Sequence, residues 1–74
     1  MPAKKPSRPW RLLHTVNGAV VETKHRSRPE ADREVAAEKQ RIADGISRVV
    51  RIRIEKWNVE TGTWTHVELA HPAT

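Results

Sequence analysis

The stretch Leu12-Leu13-His14-Thr15-Val16-Asn17-Gly18-Ala19-Val20-Val21-Glu22-Thr23 decides the fold. Asn-Gly between two apolar, partly β-branched runs is a strong hairpin signal, because a type I′ turn requires positive φ at both central positions. Two strands therefore meet at residues 17 and 18. With Val16 opposite Ala19, alternation sends Trp10, Leu12, His14, Val16, Ala19 and Val21 to one face. Arg11, Leu13, Thr15, Val20, Glu22 and Lys24 go to the other. The first set is the expected core face.

Downstream of this hairpin, Ser27-Arg28-Pro29-Glu30 has the form of a capping box, with Ser27 accepting the Glu30 amide and the Glu30 carboxylate reaching back. Residues 28 to 44 are rich in good helix formers, with acids early, Lys39 and Arg41 late, and Gly45 as the stop. The expected buried stripe is narrow. Ala31, Val35 and Ile42 fall within about 40° of one another around the axis, with Ala36 and Ala43 on one flank. Such a helix rests on a sheet and is not surrounded by one.

From Ile46 to Lys56 the period becomes two, which sets Ile46, Val50, Ile52 and Ile54 against Val49, Arg51, Arg53, Glu55 and Trp57. Val59-Glu60-Thr61-Gly62 fits a four-residue loop ending in a left-handed glycine, so Asn58 should face Thr63. That register pairs Ile54 with Val67 and Ile52 with Leu69 inside. Outside, it pairs Trp57 with Trp64, Glu55 with His66 and Arg53 with Glu68. The expected architecture is ββαββ: a four-stranded, mainly antiparallel sheet with one helix on one face, an α+β layer pair. The strand order is not fixed by these patterns.

At 74 residues the chain has room for one small domain, expected over 10–70, between a basic arm at 1–9 and a short tail at 71–74. Fifteen Leu, Ile and Val give a thin core, and self-association as a homodimer would add apolar contact. The chain has no cysteine, which excludes disulfide staples and thiolate metal sites. It contains no run of 18 apolar residues, and no apolar segment follows the cations of the first nine residues. The expectation is a soluble cytoplasmic protein with no membrane partner.

Catalytic chemistry finds little support. His14, His25, His66 and His71 have no metal-ligand spacing, and Ser7, Ser27 and Ser47 lack an evident base. The three glycines serve turns and a helix stop, leaving no phosphate-cradling loop. The expectation is a protein that is not an enzyme and that uses no metal or cofactor.

Charge is more informative. The net charge is +5, and residues 1 to 28 alone hold seven cations against the single acid Glu22. Under ββαββ the sheet face away from the helix presents Arg11, Lys24, Arg51 and Arg53 beside Trp57 and Trp64, and Lys4, Lys5 and Arg8 lie on the arm. Phosphate contact from the cations and base stacking on the indoles would make this a DNA- or RNA-binding surface of weak sequence preference. The alternative is a protein-interaction or regulatory module, docking through a sheet edge or the exposed Trp face. The Trp-led hairpin and Ala- and Glu-rich helix of residues 10 to 45 resemble the sheet-plus-helix DNA-binding arms of phage-type integrases. Those arms place three strands before the helix where this chain has two, so the resemblance assigns no residue here.

Overall fold

A computed structural model describes residues 6–72. Strands β1 (Trp10–Val16) and β2 (Ala19–His25) form the first hairpin, helix α1 (Arg28–Ala43) follows, and β3 (Val49–Asn58) and β4 (Thr63–His71) form the second. Asn17 at φ 51° and Gly18 at φ 77° have the positive torsions that the Asn-Gly turn requires. Val16 faces Ala19 across it. The second loop closes as expected, with the Gly62 amide donating to the Asn58 carbonyl at 2.9 Å and Asn58 opposite Thr63.

The sheet order is β2-β1-β3-β4, with every neighbour antiparallel. The two hairpins thus join through β1 and β3, and the fold is ββαββ with α1 packed on one face. Leu12, Ile52 and Ile54 are the fully buried large side chains, capped by Ala31 and Val35 of α1 and flanked by Ala70. Trp10, Ile42 and Val49 pack around this cluster. The thin core places the strongest packing on the two central strands, while β2 and β4 form the edges. Among the described residues no helix is long and apolar enough to cross a membrane.

Ser27 caps α1 by accepting the Glu30 amide at 3.3 Å. The carboxylate of Glu30 turns instead toward His25, with Oε1 3.8 Å from Nδ1. Ala31, Val35 and Ile42 face the sheet as the period implies, and Ala36 and Ala43 are exposed. Glu38 occupies the remaining place on the inward stripe. Its carboxylate is held by Arg41 at 2.9 Å, and hydrogen bonds from Arg41 and Ser47 lower its pKa.

Irregular pairing corrects the expected faces at three places. A register shift between Thr15 and Val16 sets Val49 against the core, and Val50 is 61% exposed. Two further shifts along β3 and β4 put Glu68 opposite Ile54 and Leu69 opposite Arg53. Val67 and Leu69 are therefore not core partners of Ile54 and Ile52, and Ala70 enters the core. Glu68 leaves Arg53 and pairs with Arg28 at the start of α1. On β2, Ala19 and Val21 lie beyond the reach of the narrow helix and are exposed.

Candidate nucleic-acid interface

The pairing of β1 with both β2 and β3 assembles the uncovered face. Arg11 stands opposite Lys24 on one side and Glu55 on the other, Leu13 opposite Arg53, and Thr15 opposite Arg51. Trp57 faces Trp64 at the end of the second hairpin. Six of the residues expected in the site, Arg11, Lys24, Arg51, Arg53, Trp57 and Trp64, thus lie on one sheet face. Arg8 is exposed just before β1, and Lys4 and Lys5 lie outside the described residues.

At the centre is a carboxylate. Glu55 is only 7% exposed although no helix covers this face. All three side-chain nitrogens of Arg11 meet acids: Nε donates to Glu55 at 2.7 Å, Nη2 lies 2.5 Å from the same oxygen, and Nη1 donates to Glu22 at 2.7 Å. Trp64 lies against this cluster, its ring centroid 4.6 Å from the Arg11 guanidinium carbon and 6.0 Å from Lys24 Nζ. Trp57 meets Trp64 edge-on, centroids 5.4 Å apart at 75°. Its indole Nε1 is buried with no hydrogen-bond partner among the described residues.

The cations differ in what they already hold. Arg11 is internally neutralised and serves to position Trp64. Lys24 is 3.8 Å from Glu22. Arg53 reaches Glu55 at 3.5 Å and His66 Nδ1 at 3.4 Å. Arg51 is exposed, with no ion-pair partner among the described residues. Arg51, Arg53, His66 and Leu69 border a shallow depression of about 260 Å³. The face offers an unpartnered guanidinium, two partly engaged cations and a braced indole pair.

A second constellation was not legible from the two hairpins taken separately. Because β1 pairs with β3, Trp10 faces Lys56, and the helix start brings Arg26 and Arg28 alongside. A groove of about 720 Å³ lies there, lined also by Pro9 and the second hairpin loop. Trp10, expected wholly in the core, packs only partly against it. Arg28 and Lys56 lie 5.6 and 5.4 Å from its ring centroid.

Among the described residues, no group of three or more His, Asp or Glu side chains is placed to hold a metal ion. His14 is buried beside the core, with no partner for Nε2 among the described residues. Neither a family model, nor a curated protein, nor a solved structure matches this chain.

Proposed function

We propose that this is a non-enzymatic nucleic-acid-binding protein whose uncovered sheet face carries DNA or RNA. The observation supporting this reading is the placing of Arg51, Arg53, Lys24, Trp57 and Trp64 on one sheet face that no helix shields. Arg51 and Arg53 are two residues apart on a strand, so their guanidinium groups project from the same side at about 7 Å spacing, close to the phosphate spacing of an extended strand. Such cations displace the counterions condensed on the phosphates they meet, which makes binding electrostatic and weakly sequence-dependent. Trp64, braced by Arg11 and Trp57, supplies a rigid apolar neighbour for a base.

The test is fluorescence anisotropy of labelled duplex and single-stranded oligonucleotides over a range of salt concentrations. Affinity should fall linearly on a logarithmic scale. Replacing Arg51 and Arg53 together with Ala should reduce the magnitude of the duplex slope by about 1.8, the effect of two lost phosphate contacts. A complex indifferent to salt, or no complex at low salt, overturns the reading.

A second reading, a protein-interaction module, rests on edge strand β2, where Val20 and Val21 are 63% and 48% exposed beside an unpaired backbone edge. It expects a mass in solution that rises with protein concentration and returns to the monomer after Val20→Lys.

A further inference from the structure

The groove around Trp10 is separate from the arginine pair on the uncovered face, and its chemistry is mixed in a particular way. Two tryptophans, Trp10 and Trp57, line it with three cations, Arg26, Arg28 and Lys56, of which Arg28 is held by Asp32 at 2.8 Å and by Glu68. Arg26 and Lys56 are exposed and have no ion-pair partner among the described residues. The volume of about 720 Å³ is in the range that encloses a small organic ligand. An aromatic wall flanked by two cations that form no ion pair among the described residues complements a planar ring that carries an anion. Glu60, an exposed residue of the second hairpin loop, is the one acid of the lining.

We infer that this groove takes a single unpaired nucleotide, its base against Trp10 and its phosphate between Arg26 and Lys56. The inference rests on the nucleic-acid reading for its class of ligand and extends it in one respect. A base inside a duplex is stacked on both sides and cannot present its face to an indole, whereas a single strand can. Pro9 lines the same groove, and the exposed Arg8 directly precedes it in the chain. The protein then distinguishes single strands through the groove and holds any phosphate backbone through Arg51 and Arg53.

The experiment titrates the ¹⁵N-labelled full chain with adenosine 5′-monophosphate, a single-stranded oligonucleotide and a duplex of equal length. The Trp10 indole resonance should move with the first two and stay in place with the duplex. Arg26→Ala with Lys56→Ala should weaken single-strand binding about tenfold and leave duplex binding within about twofold. A silent Trp10, or equal losses for both strand forms, overturns the inference, and duplex binding that still depends on Arg51 and Arg53 would then leave the broader reading standing. Movement of Trp10 by the mononucleotide without any duplex binding keeps the groove and removes the sheet face. If a glutamate-rich peptide moves Trp10 as strongly as the oligonucleotide, the groove belongs to acidic peptides and the inference is overturned.

Discussion

Arg11 holds the buried carboxylate of Glu55 on the side of the sheet that no helix covers, through Nε at 2.7 Å and Nη2 at 2.5 Å. The ion pair sits where a two-layer fold would ordinarily be solvated, and Trp64 against the guanidinium keeps water from it. A carboxylate left in such a place with only Arg53, 3.5 Å from its second oxygen, keeps most of its desolvation cost, so removing Arg11 alone is worse than removing both members of the pair. Arg11→Met preserves the stem under Trp64 and should lower stability by about 3 kcal/mol. Arg11→Met with Glu55→Gln should recover a large part of that loss. Urea denaturation of the four members of this cycle decides it. Additive losses would mean that the pair is not coupled.

His14 gives stability a pH dependence of known sign. Burial lowers its pKa below the ordinary 6.5, Glu38 and Glu34 work against that, and His25 and Arg41 add to it. The unfolded chain therefore takes up a proton near pH 6.5 that the native protein refuses. Stability should fall as pH drops below about 6.5, and go on falling until the lower native pKa is passed. His14→Leu removes the titrating ring and its unpartnered Nε2, and should flatten the profile between pH 7 and 5 in denaturant titrations. An unchanged profile in the variant would remove His14 as the cause.

Ser27 ends β2's connection to α1 and satisfies an amide that no helical carbonyl reaches. Ser27→Ala should cost about 1 kcal/mol, with Ser27→Asp restoring it, since an acid at this position also suits the helix dipole. Thermal melts followed at 222 nm report both. Because the helix start also frames the groove, Ser27→Ala should weaken single-strand binding only as far as it destabilises the fold. A larger loss would mean that Ser27 itself meets the ligand.

Local chemistry made most of this fold readable. Asn17-Gly18 and the Ser27 cap act within four residues, and both stand where the residue types require them. The cations and indoles of the uncovered face were legible from alternation, whereas Val49, Glu68 and Leu69 were not, because the bulges of β3 and β4 move them across the sheet. Strand order was not, since nothing in β1 alone states that its second edge will receive β3. The groove depends on that order through the juxtaposition of Trp10 and Lys56, which lie far apart in the sequence. The role of Glu55 was hidden for the same reason. Its expected partner His66 is across the hairpin, whereas Arg11, which binds it, comes from the other hairpin.

The bulge beside Val16 offers the sharpest comparison between pattern and packing. Strict alternation from Ile52 and Ile54 makes Val50 the core residue and Val49 the solvated one. The shift in pairing reverses them: Val49 packs against the Leu12 cluster and Val50 projects into solvent. A hydroxyl placed in a packed site needs a hydrogen-bond partner, while on an open strand surface it meets water. Val49→Thr should therefore cost about 1 to 2 kcal/mol, and Val50→Thr should stay within about 0.5 kcal/mol of the parent. Equilibrium urea melts of the two variants resolve that difference. If Val50→Thr proves the costlier, the strand enters the sheet without a bulge, and Val49 returns to the uncovered face beside Arg51, whose own place is the same in either pairing.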